Sequence, residues 1–137
     1  MDTIRIIAEH HYQLRRLRRA SEMFALAAGI ESTQYLALLQ IAGLPEHIEP
    51  TIGNIALRLQ TSHNSTVSMI DRLETNGLVV REKDTVDTRR VYVRVTERGV
   101  SIIHHLADAH LQAYEALGEN LLTSLQEVVK LAQEGEE

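Results

Sequence analysis

The sequence predicts a mainly α-helical fold with one small two-stranded β-ribbon. Three observations carry this. Apolar residues recur in steps of three and four through most of the 137 residues. The period switches to two over residues 78–95, where "LVVRE" and "RRVYVRV" flank the polar turn "KDTVDT". Just upstream, two short helical segments are joined by the three residues "QTS", so the middle of the chain reads as a helix-turn-helix followed by a wing.

Each element has its own signal. Residues 4–28 form an amphipathic helix, with Ile6, Ile7, His10, Leu14, Leu17, Ser21, Phe24 and Ala28 on one stripe and Gly29 as its stop. Ser32 or Thr33 is expected to cap a second helix that runs to Ala42 and is closed by Gly43 and Pro45. "PEHIEP" is a loop held between two prolines. Thr51 caps the helix "IGNIALRL", and Ser62 caps the next, from about Asn64 to Thr75, which Asn76-Gly77 ends in a left-handed turn. In the ribbon, Val91, Val93 and Val95 fall on one face, with Arg90, Tyr92 and Arg94 on the other. Thr96 caps a final helical region, for which Gly118 is the expected break before a last helix to Gln133. The acidic tail "EGEE" is expected to fray.

Composition removes several functions. There is no cysteine, which excludes disulfides, thiolate metal sites and cysteine nucleophiles. The N-terminus lacks the apolar core of a signal peptide, and no run approaches the roughly 18 apolar residues of a membrane span, so a cytoplasmic protein is expected. No phosphate loop, nucleophile elbow or motif-held carboxylate pair is present, so the chain is not expected to be an enzyme or to carry a cofactor. Adjacent histidines, His10-His11 and His104-His105, diverge by about 100° on a helix and suit no shared metal ion, and none is expected. His10 and His110 are different: each interrupts an apolar stripe, which suggests interfacial or pocket residues with hydrogen-bond partners.

The formal net charge is -5, yet residues 51–99 hold eight Lys/Arg against six Asp/Glu, while the remainder holds six against thirteen. A middle of opposite sign to its flanks points to a polyanionic partner for the middle. On a helical wheel, Val67, Ile70 and Leu73 lie together with Thr66 at their border, and Asn64, Ser65, Ser68 and Arg72 occupy the opposite side with Met69 at its edge. A solvated helix face would use Glu and Lys freely; the centre of this one has neither. Asn, Ser and Arg exchange hydrogen bonds with base edges, Met contacts a thymine methyl, and the caps Thr51 and Ser62 can receive phosphates. Lys83, Arg89 and Arg90 make the ribbon basic. Asp87, two residues before Arg89, can fix the guanidinium for a minor groove narrowed by A·T pairs.

These residues carry a resemblance. Residues 51–99, "TIGNIALRLQTSHNSTVSMIDRLETNGLVVREKDTVDTRRVYVRVTERG", resemble the winged helix-turn-helix of the MarR family of bacterial and archaeal transcriptional regulators. The most specific pieces are "LETNGLV" at the helix end and Asp87-Thr88-Arg89-Arg90 in the wing. Residues 1–137 suit a single subunit of that family, with residues 33–99 as its DNA-binding region and residues 1–30 and 100–137 as dimerisation helices. The resemblance implies a homodimeric, sequence-specific regulator of double-stranded DNA that reads a palindromic operator, acts as a repressor and is released by a small-molecule effector. It implies that the face from Asn64 to Arg72 enters the major groove and that Arg89 enters the minor groove. It also implies an effector pocket between the dimer helices and the winged region, with His10 and His110 as candidate polar groups. Arg90, small or apolar in many relatives, is a departure that can add a phosphate contact. The alternative reading is a winged-helix protein-interaction or scaffold module without DNA binding, favoured by the net negative charge.

Overall fold

The computed structural model describes residues 2–135. In chain order it comprises α1 (Asp2–Ala27), α2 (Ser32–Ala42), α3 (Ile52–Leu59), α4 (His63–Thr75), β1 (Val79–Lys83), β2 (Val91–Val95) and α5 (Glu97–Glu134). This is the mainly α fold with a two-stranded wing. Its centre is a core of Ala37, Leu38 and Ile41 from α2, Ile55 from α3, Ile70 and Leu73 from α4, and Leu78, Val79 and Val93 at the base of the wing. Each short helix contributes only one to three residues to this core, too few to hold it alone, so each is held by the others. The long helices α1 and α5 pack antiparallel: His10 meets Ser124 near one end, and Phe24 meets His110 near the other.

Several local expectations change. The C-terminal region is one helix of 38 residues, not two. Gly118 costs helix propensity but does not break the hydrogen-bond ladder, because the apolar stripe on either side of it faces the same way. Glu31, not Ser32 or Thr33, is the N-cap residue of α2, and its side chain accepts no capping bond. Of the acidic tail, Glu134 ends α5 and Gly135 caps it; the last two residues lie outside the described ones. In α4 the wheel is rotated slightly from expectation. Thr66 is fully buried and Val67 only half-buried. The Thr66 hydroxyl donates to the Ser62 carbonyl at 2.9 Å, which satisfies it inside the core. The α1 stripe splits: Ile6, His10, Leu17, Ser21 and Phe24 turn inward with the buried Gln13 and Ala25, while Ile7 and Leu14 remain exposed.

The strands pair antiparallel, Val79 opposite Val95 and Lys83 opposite Val91, with Arg81 opposite Val93. β2 begins at Val91 because Arg89 and Arg90 belong to the turn: the Arg90 N–H donates to the Asp87 carbonyl at 3.0 Å. The proline-bounded loop pins the ribbon from outside, with the Val93 N–H donating to the Pro50 carbonyl at 2.8 Å and Thr51 bridging to Tyr92. No helix among the described residues is long and apolar enough to cross a membrane.

Candidate nucleic-acid interface

Two caps set the pair of short helices. The Thr51 hydroxyl accepts the Asn54 N–H at 3.3 Å, and the Ser62 hydroxyl accepts the Ser65 N–H at 3.1 Å. Between them Gln60 takes φ 53°, the left-handed conformation that turns the chain sharply after α3. α4 then presents Asn64, Ser65, Ser68 and Arg72 to solvent, lining one shallow hollow together with Met69. Met69 is half-buried and also packs against the core, so its rotation about the helix is fixed. Arg72 approaches Glu31 at 3.9 Å, a loose pair between two exposed side chains.

On the wing, Asp87 grips Arg89 through three bonds. Its carboxylate accepts the Arg89 backbone N–H at 3.1 Å, Nε at 3.0 Å and Nη2 at 3.2 Å. These bonds hold the Asp87 carboxyl below the usual carboxylate range. The Arg89 side chain nevertheless remains 90% exposed, a directed cation in water. Arg90 is held otherwise: it pairs with Glu49 of the proline-bounded loop and lies over the Tyr92 ring at 5.9 Å. Lys83 closes β1 and is exposed.

Arg81 belongs to no motif that singles it out in the sequence. Strand alternation from the buried Val79 puts residue 81 on the inward face of the ribbon, and that signal was available in the pattern. There its guanidinium donates to Glu74 Oε1 at 2.9 Å and to Asp71 Oδ1 at 2.6 Å, while its own backbone N–H donates to Glu74 Oε2 at 3.0 Å. Burial works against this charge, but the bonds from Asp71 and Glu74 outweigh it and raise the Arg81 pKa. Arg94 pairs with Glu82 at 2.6 Å on the opposite face.

The two singled-out histidines are not brought together. His10 Nδ1 meets the Ser124 hydroxyl at 3.0 Å, beside a cavity of about 330 Å³ lined by Arg5, Glu9, Gln13 and Asn120, among others. His110 Nδ1 meets the Tyr35 hydroxyl at 3.0 Å, within a cluster that includes Phe24 and Tyr114. Phe24 is fourteen residues beyond His10, about 21 Å along a helix, so one small molecule does not touch both. Burial lowers the His110 pKa and raises that of Tyr35. Among the described residues no three acidic or histidine side chains converge as a metal site.

A capped helix pair, a polar outer face on its second helix and a two-stranded ribbon after it define the winged helix-turn-helix class. Residues 28–90 match the sequence model of the MarR family. The uncharacterised HTH-type transcriptional regulator YkoM of Bacillus subtilis is 32% identical over 84 residues, which cover 60% of this chain and 51% of that one. The chain thus spans about half the length of that relative. A MarR family protein from Bacillus stearothermophilus is similar over 97% of both chains, with 25% identity and a TM-score of 0.67. S. aureus MepR, solved as a MepR–DNA complex, shares the fold over 89% of this chain and 90% of that one, with 19% identity and a TM-score of 0.72. The match to the MarR family model thus covers the winged helix-turn-helix region, and the likeness in fold extends over nearly the whole chain.

Proposed function

We propose that the chain is a sequence-specific regulator of transcription that binds double-stranded DNA as a homodimer. The observation that carries this reading is Arg89, almost fully exposed yet fixed by three bonds to Asp87, on a ribbon that adjoins a helix with an Asn/Ser/Arg face. An exposed arginine without a task is free to wander; one held at a fixed angle suits a narrow anionic groove. The face of Asn64, Ser65, Ser68, Met69 and Arg72 would read the major groove, with Thr51, Ser62, Lys83 and Arg90 near the phosphates. That MepR was solved with DNA supports the same use of the fold here.

The dimer would form through the long helices. α1 leaves Ile4, Ile7, Leu14, Met23 and Leu26 exposed, and α5 leaves Leu111, Tyr114, Leu122, Leu125 and Val129 exposed. Apolar area on that scale calls for a partner, and a second copy supplies the two-fold symmetry of a palindromic operator. Repression relieved by a small molecule, in the cytoplasm, completes the reading. The aromatic cluster around His110, where α1, α2 and α5 meet, is the place where an effector would shift the winged region against the long helices.

A second reading, a winged-helix module for protein partners, draws on the same charges. Of the eight basic residues in 51–99, five (Arg72, Arg81, Arg89, Arg90 and Arg94) lie within 4.0 Å of a carboxylate. Titration of the protein against DNA from upstream of its own gene, with scrambled DNA as control, separates the two. Preference for the upstream duplex supports regulation; equal, weak binding to both supports the protein-binding module.

A further inference from the structure

We infer that Arg81 is a positioning residue that locks the wing to the recognition helix, and so sets the angle between major-groove and minor-groove contacts. The inference rests on the DNA-binding reading above for its consequence, but the lock itself is a property of the free protein. Only Asn76, Gly77 and Leu78 connect α4 to β1, and Gly77 takes φ 73°. A turn of that length leaves the ribbon a hinge unless something crosses it. Backbone bonds, among them Gly77 N–H to the Glu74 carbonyl, Leu78 N–H to the Leu73 carbonyl and Thr96 N–H to the Leu78 carbonyl, hold the hinge itself, while Val79, Val93 and the Pro50 carbonyl anchor the base and middle of the ribbon. Beyond it, Arg81 is the side chain that reaches back: it joins the third residue of β1 to both Asp71 and Glu74, one helical turn apart on α4. Its side chain is only 26% exposed, so these charge-assisted bonds are shielded from salt better than surface pairs.

The geometry gives Arg81 a signature unlike that of a DNA contact. Its guanidinium is bonded to two carboxylates, so its charge is balanced before DNA arrives and it releases no counterion on binding. Removing it should loosen the angle of the ribbon against α4, while Val79 and Val93 keep its base in the core and Ile70 and Leu73 keep α4 docked. Wing contacts should then lose their register with helix contacts. Binding should weaken selectively at the flanks of the site, and the salt dependence should stay as it was.

The test uses the full chain, a duplex selected by the wild-type protein from a random-sequence pool, and a version of it with G·C pairs in the flanks. In Arg81→Met, affinity for the selected duplex should fall by about tenfold or more, the loss expected for one good contact. Discrimination against the G·C-flanked version should shrink, and the salt slope should match wild type. Without DNA, amide exchange across residues 79–83 and 91–95 should accelerate by about tenfold, with α2 and α5 unchanged. Glu74→Gln, a change on the exposed side of α4, should reproduce both effects more mildly, and combining it with Arg81→Met should add little. Retained flank discrimination with unchanged exchange in Arg81→Met overturns the lock. A flattened salt slope overturns it too, since that would make Arg81 a phosphate contact. If the wild type selects no duplex, the DNA-binding reading falls, and the exchange experiment alone decides the lock.

Discussion

Arg89 and Arg90 adjoin in sequence, yet their guanidinium groups are held in different ways. Arg89 points into solvent from the grip of Asp87, while Arg90 is folded back on Glu49 and Tyr92. Arg89→Ala should therefore weaken binding to every duplex, most at A·T-rich flanks, and Asp87→Ala should be a milder version of it, because the arginine survives without its brace. Arg90→Ala should do less than either, since Glu49 and the Tyr92 ring fold it back from solvent while Arg89 projects into it. Arg72→Ala should cost about 1–3 kcal/mol per half-site and relax preference at one operator position, as loss of a base contact does. Competition titrations on single-base variants distinguish these patterns. His110 makes a separate prediction. Burial holds its pKa below the ordinary 6.5, so the folded chain keeps the ring neutral while the unfolded chain gains a proton. The neutral ring keeps Nδ1 within 3.0 Å of the buried Tyr35 hydroxyl, and the two share a hydrogen bond. The contribution of His110 to stability is complete above 6.5 and is lost as pH falls through its lowered value. The urea midpoint should drop between about pH 7.5 and about pH 5. Part of that drop should vanish in His110→Asn, which keeps a polar group at Tyr35 but does not titrate.

At the scale of elements, two glycines separate packing from propensity. Gly99 lies in the first turn of α5, where its N–H is bonded by the Thr96 hydroxyl at 3.1 Å. A methyl group there would collide with the Leu78 carbonyl and the Val95 side chain. Gly99→Ala should destabilise by about 1–3 kcal/mol in urea titrations, as overpacking does. Gly118, mid-helix, has room: an added Cβ would only touch Tyr114 at 3.8 Å. Gly118→Ala should raise stability by about 0.5–1 kcal/mol, since it removes the entropic cost of glycine in a helix. That contrast also explains what the sequence made legible. Hydroxyl caps at Thr51, Ser62 and Thr96, the Asn76-Gly77 stop and the switch to period two are local signals, and the structure has each of them. Gly118 was misread because propensity is a weak, local term that continuous packing on both sides overrides. The uncapped start of α2 at Glu31 has no side-chain signal, and the left-handed Gln60 is a non-glycine in a conformation few such residues take, held by its own bonds back to Leu57. Asp87 and Arg89 were legible as a pair from spacing alone. Arg81, Asp71 and Glu74 join residues seven and ten apart across a turn, which spacing does not reveal.

For the whole molecule, one chain leaves its long helices half-dressed. Leu26 is 78% exposed and Leu111 69% exposed, although the core beneath the wing is fully packed. Light scattering at micromolar concentration should give about twice 15.4 kDa. Aspartate at both Leu122 and Leu125 should bring the mass down to one chain. The same pair of substitutions should cut operator affinity far more than affinity for a single half-site, since a dimer binds two half-sites as one event. Electrostatics at this scale are divided: the chain carries a net charge of -5, so on the proposed function DNA would approach a repelling body and would have to be drawn by the wing and the α4 face. On the proposed function, the wing tip of each subunit neutralises phosphate or groove charge. The most direct test of this is DNA affinity measured over a series of salt concentrations for wild type and Arg89→Ala, with unfolding curves to establish that both are folded. Arg89→Ala should bind more weakly, with a log–log slope shallower by about one to two counterions per dimer. Equal affinity and equal slope in the two folded proteins would contradict it.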